Sequence, residues 1–369
     1  MDNLRDYVGW MGDYDFEAVP FGEVDAVILC TLAYYDFAPL FEDGSTQKRL
    51  RDGMDAIDAQ RCPYTALAVR DLNYPALLHD AAASRRYGEL VLSDYADIAR
   101  ANPPLQFSAT TFSDGAGFRF VAFRGTDNTI AGWEEDFMIS FTHTEAQERA
   151  LDYARRQTAL GRCRIGGHSK GGNLALYAAC ALDEDEWSLV EHVYLLDGPG
   201  LCPEVMDTSC VRRVNPRVTA IVPTFSVVGK LFTPAIDDTR VVRSSAHSIL
   251  KHSIGSWGVD HGRLAEAPEN DAASRWLNDV IQRWIDGIPQ TDRATFVREL
   301  FGALSADGAA TLADILKSGP SGLRAVLNSL INTSRTTKMT AAELPLRALL
   351  GENYDMILTR IFKEADKKA

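Results

Sequence analysis

A chain of 369 residues, 46% hydrophobic and 24% charged, has the make-up of a globular protein long enough to bury a large core without disulfide or metal staples. Its length suits one large domain with an appendage, or two domains. A formal net charge of −13 excludes the basic face of a nucleic-acid binder and disfavours docking to an anionic membrane surface. The cysteines Cys30, Cys62, Cys163, Cys180, Cys202 and Cys210 form no Cys-x-x-Cys pair, and several sit in apolar runs. Free buried thiols in a reducing compartment are therefore expected. The start, Met-Asp-Asn-Leu-Arg-Asp, lacks the basic and apolar regions of a signal peptide, and no apolar run has the length of a membrane span. The expectation is a cytoplasmic protein with no integral membrane segment.

Residues up to about 100 read mostly as helix and loop. The apolar stretch Val24 to Phe37, punctuated upstream by Pro20 and Gly22, predicts a buried helix, and Arg85 to Gly88 and Asn102 to Pro104 mark turns. The pattern then switches to period two. Leu105 to Phe112, a Ser113 to Gly117 turn and Phe118 to Phe123 predict a hairpin. A polar loop, Arg124 to Asn128, follows; Glu145 to Leu160 has helical spacing, and Arg162 to Ile165 reads as a short strand.

That strand leads into Gly167-His168-Ser169-Lys170-Gly171, which fits the Gly-x-Ser-x-Gly nucleophile elbow. The spacing has a physical reason. A strand that turns directly into a helix holds the serine in strained backbone geometry, and glycines two before and two after remove side chains where strand and helix meet. Asn173 to Leu182 supplies the helix, and its N-terminus offers N–H groups to an oxyanion. The Walker order Gly-x-x-x-x-Gly-Lys-Ser/Thr is absent.

Further strands are predicted at Glu191 to Leu196, ending in Asp197-Gly-Pro-Gly200, at Arg217 to Val222 and at Thr239 to Arg243. Alternation of strand and helix from about 118 to 245 predicts an α/β fold, a mainly parallel sheet with helices on both faces. The working site then lies beyond the carboxyl ends of the strands, where Thr126, Ser169, Asp197 and the loop after Arg243 fall. From about 270 the character changes: Trp276 to Ile285, Ala294 to Leu304 and Leu346 to Phe362 are amphipathic, with shorter apolar runs at Leu312 to Leu316 and Leu323 to Leu330. The expected division is an α/β-hydrolase-like domain over 1–268, with N-terminal helices to about 100 and a sheet core over about 105–260, and a helical C-terminal extension over 269–369.

A serine becomes a nucleophile at neutral pH when a histidine accepts its proton, and that histidine needs a carboxylate to fix its tautomer. In this fold the chain order is Ser, then Asp or Glu, then His. His79 and His143 precede the serine, His168 adjoins it with its side chain directed elsewhere, and His192 lies ahead of the best acid. His247, His252 and His261 remain, and position alone leaves all three open.

Phe123-Arg-Gly-Thr126, Trp133, Asp136 and Gly167-His-Ser-Lys-Gly-Gly172 resemble the signatures of class 3 lipases. With Leu196 to Gly200, Val222-Pro-x-x-Ser226-Val-Val-Gly229, Val241 to Ser245 and His252-x-x-x-Ser256-Trp257, the chain is still more similar to the Mbeg-like bacterial family of lipase-like α/β-hydrolases. The Tyr14 to Phe37 region and the helical tail share the resemblance, which spans most of the chain. It implies Ser169 as nucleophile and His252 as base, with oxyanion donors at Thr126 and at the backbone N–H of Lys170. No metal or cofactor is implied. One departure matters: class 3 lipases carry the acid in Asp-x-Val-Pro, and here that stretch is Ala220-Ile-Val-Pro223. Asp197 is the substitute, with Asp237 and Asp238 as alternatives.

The leading expectation is a serine hydrolase acting on a small-molecule ester, a lipid or acyl ester. Pro223 to Phe232 would line an acyl pocket, form a lid or pack in the core. The competing expectation is a hydrolase-like scaffold that binds a ligand or protein partner without turnover, with the C-terminal helices as docking surface.

Overall fold

The central element is an eight-stranded sheet in which each strand lies beside its neighbours in sequence. Its strands are β1 (Gln47–Arg49), β2 (Val91–Ala101), β3 (Pro104–Ser113), β4 (Arg119–Phe123), β5 (Cys163–His168), β6 (Val190–Leu196), β7 (Val218–Pro223) and β8 (Asp238–Val242). β1 to β4 pair antiparallel, and β4 to β8 pair parallel. The computed structural model describes residues 2–57, 73–101, 104–126, 134, 138–139, 142–203, 205–226, 228–230, 236–270, 290–305, 329 and 333. This is the expected mainly parallel α/β-hydrolase-like sheet.

Period-two alternation sorts each strand between two helical layers. On one face Phe120, Ala122, Tyr194, Leu196, Ile221 and Val242 join one core cluster with α2 (Glu23–Leu32). The other face packs on α5 (Glu145–Thr158) and α6 (Lys170–Ala181), where Phe123 meets Tyr153 edge-on at 5.8 Å. Adjacent glycines of β5 show the switch: a Cβ on Gly166 would meet Phe120, Tyr194 and the Cys30 sulfur of α2, while one on Gly167 would run into the backbone of Gly171 in α6. α1 (Leu4–Met11), α3 (Tyr74–Ala83) and α4 (Arg85–Gly88) complete the N-terminal helices, and α7 (Glu184–Ser188) and α8 (Thr208–Val214) lie in the connections around β6. Capping boxes open α1, at Asn3 and Asp6, and α5, at Thr144 and Gln147.

The N-terminal hundred residues differ from their reading as helix and loop, because β1 and the eleven-residue β2 extend the hairpin outward. Polar and charged residues interrupt the apolar alternation of β2, and its register breaks between Ser93 and Ala96, where Asp94 takes φ 51°. The expected helix from Val24 to Phe37 stops at Leu32, and Phe37 is buried beyond its end. Below this region lies a fully buried ion pair. Arg86 donates from Nε and Nη2 to the two Asp25 oxygens at 2.7 Å each, and Tyr87 donates to the same carboxylate at 2.6 Å. Burial and that carboxylate push the Tyr7 and Tyr87 phenols up, so both remain protonated donors.

By internal contacts the chain divides into two units, Met1–Thr126 with His143–Ser274 and Asp127–Thr142 with Arg275–Ala369. The sheet belongs to the first. In the second, α9 (Gln290–Leu304) occupies the place of the amphipathic run expected from Ala294, and buries Phe296, Val297 and Ala303. The expected helices at 276–285 and 346–362, the run at 312–316, nearly all of 323–330, and Trp133 and Asp136 lie outside the described residues. Among the described residues no helix is long and apolar enough to cross a membrane. Cys30, Cys163, Cys180 and Cys202 are buried free thiols; burial pushes Cys163 and Cys180 up to about 12, which keeps both as thiols at neutral pH.

Candidate active site

Ser169 sits between the end of β5 and the first turn of α6 with φ 59° and ψ −128°, a conformation an L-residue holds only where its surroundings enforce it. The enforcement is packing of backbone on backbone. A Cβ on Gly171 would lie 2.1 Å from the Phe123 carbonyl oxygen and one on Gly167 2.2 Å from Gly171, so only glycine lets β4, β5 and α6 converge. Asp197 occupies the matching place on the next strand. His168 and Leu196 are register partners; Ser169 N–H donates to the Leu196 carbonyl at 3.0 Å, and Asp197 N–H to the Ile221 carbonyl at 2.7 Å. Asp197 also has positive φ, at 45°.

His252 closes a short 3-10 turn, Ser248–His252, after β8. Its Nδ1 lies 2.6 Å from Asp197 Oδ2 and its Nε2 3.0 Å from Ser169 Oγ. With the carboxylate accepting the Nδ1 proton, Nε2 is free to accept from the serine hydroxyl. The second Asp197 oxygen accepts from Ser226 Oγ at 2.5 Å, and a Cβ on Gly229 would lie 2.2 Å from it. The carboxylate is wholly buried and the His252 side chain is 15% exposed. The arrangement is a buried carboxylate, an imidazole and a buried serine hydroxyl, joined by two hydrogen bonds.

The alternatives lie elsewhere. Asp238 accepts from Thr219 and pairs with Arg240, and Asp237 bonds through its backbone to Asn215. The His261 side chain is 95% exposed beside Asp260, in the turn between β9 (Val259–Asp260) and β10 (Arg263–Leu264). His247 precedes the 3-10 turn as its N-cap residue.

Thr126 is buried three residues beyond β4, and Lys170 opens α6. The Arg124 to Thr126 loop lies against the serine, since a Cβ on Gly125 would be 3.1 Å from Ser169 Cβ. Arg124 anchors that loop with a two-pronged pair to Asp97 of β2, at 2.8 and 3.0 Å. The Lys170 ammonium turns away to the Gln106 carbonyl at 2.8 Å, which leaves its backbone as the part beside Ser169. Asn173 donates to the Pro199 and Gly200 carbonyls and accepts from Gln147, tying the turn after Asp197 to α6.

The segment that carries His252 is held as firmly. Trp257 Nε1 donates to the Lys251 carbonyl at 3.0 Å, Lys251 reaches Thr224 at 2.8 Å, and Ser253 meets the Tyr74 hydroxyl at 2.8 Å. Local spacing does not give these residues, or Ser226, Gly229, Asp97 and Asn173, their contacts at the site. Ser226 and Gly229 belong to a family-like motif, but their position against the Asp197 carboxylate is a tertiary contact. Among the described residues no group of three or more His, Cys, Asp or Glu is arranged to hold a metal ion.

The sheet, the strained serine elbow and the Ser169–His252–Asp197 constellation define an α/β-hydrolase-like protein. The chain belongs to the Mbeg1-like family, whose model matches residues 81–302. Among solved structures, M37 lipase is similar at 12% identity, with 92% of this chain and 100% of that chain covered and a TM-score of 0.35, too low to bear on function. No curated protein matches the chain.

Proposed function

We propose that this protein is a serine hydrolase that cleaves a carboxylic ester, of a lipid or another acyl compound, through an acyl-enzyme on Ser169. The observation that carries the reading is the pair of contacts at His252, 2.6 Å to Asp197 and 3.0 Å to Ser169. His252 takes the hydroxyl proton as Ser169 attacks the carbonyl carbon, and passes it to the departing alcohol as the tetrahedral intermediate collapses. Water then enters, gives a proton to His252 and releases the acid, and Ser169 regains its proton. The backbone N–H groups of Thr126 and Lys170 carry the oxyanion, and Asp197 stabilises the imidazolium. A missing carboxylate at Ala220 favours the non-catalytic scaffold, and the Asp197 contact weakens that ground. A hydrolase-like domain ending near residue 268, and a helical extension that docks a protein partner, belong to the same proposal.

A fluorophosphonate probe tests it. Wild-type protein should label at Ser169, and Ser169→Ala should abolish labelling and lower turnover of nitrophenyl esters on the order of 10⁶-fold with the fold intact. Absence of labelling across a graded series of conditions and acyl chains would favour the scaffold.

A further inference from the structure

We infer that His168 is a positioning residue for the base: its ring, held as the Nε2–H tautomer by the Tyr34 hydroxyl, fixes the main chain of His252 through that residue's carbonyl oxygen. The inference rests on the hydrolase reading for its functional meaning. Its geometry stands separately. His168 Nε2 is 2.9 Å from the His252 carbonyl oxygen, and its Nδ1 is 3.0 Å from Tyr34 Oη. A carbonyl oxygen only accepts, so Nε2 carries the proton; in the neutral ring Nδ1 then accepts from the phenol. The two contacts together specify one tautomer.

The ring is wholly buried, with its centroid 4.6 Å from that of His252 and 6.2 Å from that of Trp257. Among the described residues, Tyr34, from the segment after α2, and His252, from the segment after β8, are titratable groups that face it. Burial first, and the neighbouring His252 second, hold His168 well below the ordinary histidine range. Neutrality matters for the chemistry, because a second positive ring here would oppose the imidazolium formed when Ser169 gives up its proton. The residue before the nucleophile thus touches the base from behind. One dipeptide, His168-Ser169, sets both the serine oxygen and the main chain that carries the ring opposite it.

The test combines histidine ¹⁵N NMR with ester kinetics on the full chain, for wild type, His168→Gln, His168→Leu and Tyr34→Phe. In wild type, His168 should stay neutral with its proton on Nε2 from about pH 5 to 9, while an ordinary histidine titrates. His168→Leu should lower kcat about 10–100-fold, the scale of a small misplacement of a reacting group, with KM nearly unchanged. His168→Gln keeps an N–H donor and should recover most of that loss; Tyr34→Phe should fall between. A folded His168→Leu variant with wild-type kcat would overturn the proposal, as would a wild-type His168 that titrates in that window or carries its proton on Nδ1. If His168→Leu fails to fold, the comparison of His168→Gln with Tyr34→Phe decides, and equal wild-type kcat in both overturns it. Should wild type neither label nor turn over, the hydrolase reading fails. The NMR arm then still decides the positioning: the His252 Nδ1–H signal must shift or broaden in Tyr34→Phe, and an unchanged signal is contrary to it.

Discussion

Asp197→Asn is the sharpest perturbation of the site. The wild-type carboxylate accepts from His252 through Oδ2 and from Ser226 through Oδ1, at 2.6 and 2.5 Å. An amide has one oxygen and one NH₂ to offer the same two neighbours. With its NH₂ toward His252 it forces the proton onto Nε2, and Ser169 loses its acceptor. With its oxygen toward His252 the tautomer survives, because the Ser226 hydroxyl can turn and accept, but the negative charge beside the imidazolium is gone. Charge centres roughly 4 Å apart at an effective dielectric near 20 interact by about 4 kcal/mol, which is roughly a thousandfold in rate. Either orientation therefore lowers kcat by about 10³–10⁴-fold, the range expected when a triad acid becomes an amide. Nitrophenyl ester turnover and the rate of fluorophosphonate labelling should fall together, while circular dichroism at 25 °C is unchanged. A folded variant with less than a tenfold loss would show that Asp197 is a turn residue with no part in the chemistry.

His252→Ala should be about as damaging as loss of the serine, whereas His247→Ala and His261→Ala should leave ester turnover within about threefold, since of these three it is His252 whose ring bonds to Asp197 and Ser169. Arg86→Met should destabilise the fold by roughly 3–5 kcal/mol in urea titrations, because Asp25 would be left charged and buried; activity per folded molecule should hold. The depressed His168 pKa has a signed consequence. Below the unfolded value of 6.5 the unfolded chain takes up a proton that the folded chain refuses, so stability falls as pH drops, by up to about 1.4 kcal/mol per pH unit. His168→Gln should remove that slope, so the stability gap between wild type and variant narrows from pH 6.5 to 5; parallel curves would refute the argument.

Where the chain obeys one period, the sequence was enough. β5 to β7 are largely buried strands and β8 a half-buried one; β6, β7 and β8 appear within one residue of their expected places, while β5 runs three residues past its expected end, through the glycines to His168. The elbow was legible because its spacing encodes a backbone collision that only glycine relieves. β2 was not legible, because its partner strands rather than its own pattern fix it, and a bulge breaks its alternation. The choice of His252 among three late histidines needed family resemblance, since the contact to Asp197 spans 55 residues. Ser226, Tyr34 and Asp97 act through partners distant in sequence, and local spacing carries no trace of such pairs.

Ser169 and Asp197 hang from neighbouring strands of one ladder, a step beyond the paired residues His168 and Leu196. Their separation is inherited from main-chain hydrogen bonding, whose repeat of about 4.8 Å between strands is the same in every sheet. It owes little to the connection from 201 to 217, which joins β6 to β7 without entering that ladder. A chimaera that exchanges this connection whole would keep the distance from serine to carboxylate and alter only what surrounds it, so variation in approach is uncoupled from the spacing on which proton transfer depends.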